Sequence, residues 1–173
     1  MPCNLNFNQC NTGCIYPRPI FTCRRDLIAL LNQSDNIIVN PIVQPAQLIA
    51  NITGAQTVLS GGNVVPVVAF NQGSAISYDN AGTFSLVNGR YMFSFNLNGT
   101  FAADGNSSYA VYVDGVLIPN SSVTSSGTAG SASTVSNSIF LEITNPNALV
   151  TIRNTNVNPQ TISSGNVVIQ KII

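Results

Sequence analysis

Histidine and tryptophan are absent from the 173 residues, and charged side chains make up only 7% of them, against about a quarter in ordinary soluble domains. Without histidine, the side chain most used for general acid–base chemistry is gone. Only six acidic residues remain, so an enzyme is not expected. No Ser/His/Asp or Cys/His set can be assembled, and Asp104-Gly105-Asn106 reads as a hairpin turn, not a phosphate loop. No cofactor is implied. Six scattered cations give no basic stripe to neutralise phosphates, which argues against a nucleic-acid partner. No apolar run approaches the ~18 residues of a membrane span. Met1-Pro-Cys-Asn opens without a basic n-region, and no signal-peptide h-region follows. The expectation is a chain made in the cytoplasm without a signal peptide and with no membrane partner. Disorder is disfavoured, because 45% apolar residues can offset chain entropy. The length suits one domain with its own core.

Neutral hydrogen-bonding groups stand where charge is missing: 23 Asn, 18 Ser and 13 Thr. The formal net charge is zero, so copies repel one another little, a condition that promotes association. Self-assembly is the expected consequence.

The chain divides into a connector arm over 1–60 and a folded body over 61–173. All four cysteines, Cys3, Cys10, Cys14 and Cys23, lie at the start of the arm. Leu27, Leu30 and Leu31 at helical spacing predict one short helix within Arg24–Asn32, marginal alone in water. Pro41 and Pro45 then exclude a helix and a central strand, leaving an extended apolar segment from Ile37 to Ile52. Such a segment cannot bury its own side chains and needs a surface to lie on, its own body's or a neighbour's; in a filament, Ile38, Ile42, Val43, Leu48 and Ile49 are expected to anchor it on a neighbouring trimer.

Short strands separated by turns fill the body. Val64–Phe70, with Pro66 inside, reads as an edge strand. Asp79-Asn80-Ala81-Gly82 and Asn88-Gly89 read as turns flanking Thr83–Leu86. Tyr91, Phe93, Phe95 and Leu97 alternate with mostly polar residues. Tyr109, Val111 and Val113 lead through Asp114-Gly115 into Val116-Leu117-Ile118. Residues 121–134, rich in Ser, Thr, Gly and Ala, read as a loop. Ile139–Ile143, Leu149–Arg153 and Val167–Ile173 complete the set. Strands without intervening helices predict an all-β sandwich.

Gly89-Arg90-Tyr91-Met92-Phe93 resembles the Gly-x-Tyr-x-Phe signature of the complement and tumour-necrosis-factor jelly rolls, in which the glycine turns a hairpin and the aromatics enter the core. Residues 64–173 resemble more closely the C-terminal domain of BclA-type exosporium glycoproteins of bacillus spores. Gly73-Ser74-Ala75-Ile76-Ser77, Val113–Pro119 and Val167–Ile172 carry that likeness. The resemblance implies a jelly roll that forms tight homotrimers on a spore surface. No Gly-X-Y collagen repeat precedes the domain. In its place stands the cysteine-bearing arm, which resembles the N-terminal connectors of endospore appendage subunits. The expected function is therefore a filament subunit with trimers stacked head-to-tail through their arms. The expected partners are the chain itself, as trimer and then filament, and other exosporium or appendage proteins. A trimeric tip or adhesion module on the exosporium is the alternative, and a phage or capsid fibre head is a third reading.

The cysteine spacing, Cys-x6-Cys-x3-Cys-x8-Cys, lacks the paired knuckles of structural zinc sites, so no metal is expected. Disulfides between subunits are favoured once a spore-coat product meets oxidising surroundings. A small knot within one arm, or free thiols, are the other possibilities. Five Asn-x-Ser/Thr sequons, at Asn32, Asn51, Asn98, Asn106 and Asn120, match the roughly four that composition alone gives and are no sign of glycosylation. Asp79, Asp104 and Asp114 sit in turns, where capping is a commoner task than calcium binding. Glu142 and Arg153 lie within apolar strands and could pair across a trimer axis or simply face solvent.

Overall fold

Where apolar and polar residues alternate, an extended chain puts all its apolar side chains on one face, and that face must be covered. The computed structural model describes residues 45–172. In chain order their strands are β1 (Gln47–Ile52), β2 (Gln56–Val58), β3 (Val67–Gln72), β4 (Ile76–Tyr78), β5 (Thr83–Leu86), β6 (Gly89–Thr100), β7 (Gly105–Val113), β8 (Val116–Leu117), β9 (Val123–Gly127), β10 (Ala132–Ile143), β11 (Ala148–Asn154) and β12 (Gln160–Lys171). They form two six-stranded sheets. The first runs β10-β6-β12-β1-β3 with β2 on β12; the second runs β4-β5-β11-β7-β8 with β9 on β7. Every pairing is antiparallel. The result is an all-β jelly roll.

The core lies between the sheets. From β6 come Tyr91, Phe93, Phe95 and Leu97, each at most 3% exposed; Leu48, Ala50, Val167 and Ile169 flank them at 0%. Opposite stand Phe84, Leu86, Val111 and Val150. Phe84 meets Phe93 edge-on at 6.0 Å and stacks on Tyr78 at 4.7 Å. Each such buried side chain stabilises the fold by about 1.5–3 kcal/mol. Buried polar groups are mostly satisfied. Asn154 donates to the carbonyls of Val58 at 3.0 Å and Asn158 at 2.9 Å, and Ser121 Oγ accepts from Val111 N–H at 3.0 Å.

Four expectations change. Residues 47–58 belong to the sandwich: β1 is held between β12 and β3, and β2 also pairs with β12. The body therefore starts ahead of residue 61, since the prolines end at Pro45 and Leu48, Ala50 and Ile52 alternate inward. Residues 121–134 contain β9 and the start of β10, because Ser and Thr pair across strands as well as they fill loops. Asn88-Gly89 does not turn a hairpin: β5 and β6 lie in different sheets, and Gly89, at φ 143°, carries the chain across. Asp104-Gly105-Asn106 is likewise a crossing between sheets and not a hairpin. The Asp114-Gly115 hairpin is as expected, with φ 50° and 80° joining β7 to β8. The short helix over Arg24–Asn32 lies outside the described residues.

A candidate assembly interface on the first sheet

On β6, Met92, Ser94, Asn96 and Asn98 point away from the core, all half-buried, with exposed Arg90 beyond them on the same face. Strand register extends each into a row. Ser94 is level with Ser138 of β10 and Val168 of β12, and Val168 with Ile49 and then Phe70. Asn96 is level with Ser136 and Asn166, and Asn166 with Asn51. Met92 lies beside Phe140, which is 78% exposed, and Gln170. No position in these rows is charged. The nearest ion pair, Arg90 to Glu142 at 3.7 Å, stands one row out with both side chains about 70% exposed.

Between β6, β10 and β12 this face holds an open concavity of about 470 Å³, lined by Ser94, Phe95, Asn96, Ser136, Asn137, Ser138, Asn166 and Val168. Asn98 donates to Asn96 Oδ1 at 2.9 Å and accepts from Thr134 at 3.0 Å. The side chains of Ser94, Asn166 and Asn51 have no hydrogen-bond partner among the described residues. A face of neutral amides and hydroxyls interleaved with Val168, Met92 and Phe140 can be dehydrated without stranding a charge. Its free donors and acceptors can then bond across to another surface.

The contact residues expected from the sequence are thus scattered by the fold. Leu48 was expected as a contact between trimers, yet it is 0% exposed in the chain's own core. Ile49 points outward from β1 onto the uncharged face, so it belongs to the body and not to an arm. Cys3, Cys10, Cys14, Cys23, Ile38, Ile42 and Val43 lie outside the described residues. Phe140, Asn96 and Asn166 do not stand out in the sequence; the signal for them is the alternation of Asn and Ser with apolar residues where charge would ordinarily be.

The carboxylates are engaged in turns. Asp79 accepts from Ala81 N–H at 2.7 Å and Thr83 N–H at 2.9 Å, Asp104 from Ala129 N–H at 2.8 Å, and Asp114 from Leu149 N–H at 2.8 Å. Desolvation works to raise the Asp79 carboxyl, but those two N–H bonds outweigh it and hold the group below the usual carboxylate range. Among the described residues, no three acidic, His or Cys side chains come together as a metal site. Glu142 faces solvent beside Arg90. Arg153 lies over the Tyr112 ring at 4.7 Å on the second sheet, away from the uncharged face.

The chain matches no family model, and no curated protein matches it. Solved structures do match. Eiger TNF from S. frugiperda aligns over 75% of this chain and 92% of its own, with TM-score 0.61 and 11% identity. The globular domain of zebrafish complement 1qA protein aligns over 74% and 97%, at 0.59 and 14%. Murine APRIL aligns over 73% and 99%, at 0.60 and 7%. The fold is the tumour-necrosis-factor and complement C1q jelly roll. At these identities the likeness speaks for the fold alone.

Proposed function

We propose that the chain is a structural subunit of a spore-surface filament or appendage. Jelly-roll bodies associate as homotrimers through the part of the uncharged face formed by β10, β6 and β12, and the arms link one trimer to the next. The observation that carries the reading is that face, with its unoccupied amides and hydroxyls around Val168 and Phe140. An obligate interface of this type buries roughly 2,000 Å² or more. A head-to-tail link between trimers is heterologous and does not close, so it propagates as a filament. Cys3, Cys10, Cys14 and Cys23 lock the joints as disulfides between subunits. The spore surface is the proposed location, after synthesis in the mother-cell cytoplasm. The absence of histidine supports a non-catalytic role.

Truncation tests this. Removing residues 1–44 is expected to leave soluble trimers that form no filaments in electron micrographs. Removing residues 1–60 takes Leu48, Ala50, Ile52 and Val58 out of the core and is expected to abolish folding. Full-length filaments boiled in denaturant are expected to run as ladders without reductant and as monomer with it. Full-length protein that never exceeds a trimer would instead favour the tip or adhesion module.

A further inference from the structure

The first sheet has a second feature, at the edge farthest from β10. Strand β3 pairs with β1 and, among the described residues, with nothing on its other side. Its sequence, Val67-Val68-Ala69-Phe70-Asn71-Gln72, holds no charge and no proline. Edge strands are normally blunted by such residues, because bare N–H and C=O groups recruit other strands. Val67 and Phe70 are 56% and 45% exposed. Register places both on the outer face, Phe70 beside Ile49 and Val67 beside Asn51. The bare backbone edge is thus continuous with an apolar strip.

The chain itself carries a segment suited to that edge. Ile37-Ile38-Val39-Asn40-Pro41-Ile42-Val43 is uncharged and rich in β-branched residues. Its single proline is tolerated where an N–H faces outward. In an extended strand Ile38 and Ile42 share one face. We propose that this segment of one copy adds to the free edge of β3 in a second copy, as an antiparallel strand. The assignment rests on the filament reading and names its acceptor.

Chain geometry separates a neighbour's arm from the copy's own. The body begins beside the far end of β3: Gln47 is level with Gln72, and the Pro45 carbonyl oxygen lies 2.9 Å from where a Cβ on Gly73 would stand. An antiparallel strand on β3 runs in the same direction as β1, so its Val43 would lie near Val67. Returning to Gln47 means covering about 17 Å of strand length and two strand spacings, roughly 19 Å in all. Four residue steps reach at most about 14 Å. An antiparallel arm with Val43 docked must therefore come from another copy. The β3 edge is also separated by β1 from the strands that line the concavity, so trimer contact and arm docking need not compete.

The test uses two full-length variants, Ile38→Asp/Ile42→Asp and Val67→Lys/Phe70→Lys, with Leu149→Lys (51% exposed on the second sheet) as a control that retains filaments. Circular dichroism checks that each folds. Sedimentation velocity and electron microscopy are expected to find each double variant arrested as trimers. An equal mixture is expected to yield a complex of two trimers, because one partner supplies arms and the other supplies edges. A mixture that stays as separate trimers overturns the proposal as the link of the filament, as arms then reach no other trimer. Filaments that survive Val67→Lys/Phe70→Lys but not Ile38→Asp/Ile42→Asp overturn β3 as acceptor while leaving the filament reading intact. Filaments that survive Ile38→Asp/Ile42→Asp remove the arm as connector, and the filament reading falls with it.

Discussion

The outer faces of the two sheets are built from similar residues and differ in what those residues already hold. On the second sheet Arg153 covers the Tyr112 ring and donates from Nε to Thr151 at 3.1 Å. Ser108 bonds Thr124 and Thr155, each at 2.9 Å. These polar groups are committed within the chain. On the first sheet Ser94, Asn166 and Asn51 have no such partner among the described residues, and Ser94 and Asn166 line an open concavity. Ser77, Ser85 and Tyr112 of the second sheet also lack a side-chain hydrogen bond among the described residues, so the first face differs in gathering its unpaired groups around a concavity.

The contrast can be broken experimentally. Ser94→Lys combined with Asn166→Lys sets two charges on the first face. Each would be buried without a counter-charge in the trimer, at about 3–5 kcal/mol. Light scattering is expected to show monomers that keep the β-sheet circular dichroism. Persistence of trimers would move the interface elsewhere. Phe140→Ala is milder: the ring is 78% exposed in the single chain, so the monomer's stability is unchanged while trimer affinity falls by about 1.5–3 kcal/mol. Arg153→Ala reverses that pattern, leaving oligomeric state alone and lowering thermal stability by about 0.5–1 kcal/mol through the lost stacking.

An effect confined to alkaline pH belongs between the faces. Tyr109 is 1% exposed, its hydroxyl has no hydrogen-bond partner of good geometry among the described residues, and burial, opposed more weakly by Ser107, pushes its phenol from 10.0 up to about 12. Because the folded value is the higher one, this group's contribution is fully present below pH 10. It is lost as pH rises toward 12, where the unfolded chain has already released its proton. Alkaline melts are expected to fall through that window, and Tyr109→Phe to flatten the slope.

Legibility followed the range of the interactions. The Tyr91–Leu97 alternation, the Asp114-Gly115 hairpin and the edge position of the strand after Pro66 are local, and they are readable. So is the jelly roll, through the Gly-x-Tyr-x-Phe resemblance. The assembly face is half readable: its lack of charge shows in composition, but its rows exist only once β10, β6, β12 and β1 are set side by side. Residues 47–52 read as arm because nearby prolines and outward Ile49 mask the inward set of Leu48, Ala50 and Ile52. Their partners lie far along the chain, Leu48 level with Ile169.

The sequence by itself determined that this protein is all-β and nearly without charge, since these follow from period-two patterning and residue type. Tertiary structure decided which strands are neighbours, that Asn88-Gly89 crosses between sheets, and which outer face gathers its uncharged rows around a concavity. Those outcomes depend on pairings between residues far apart in the chain, and local sequence does not encode the partner of a strand.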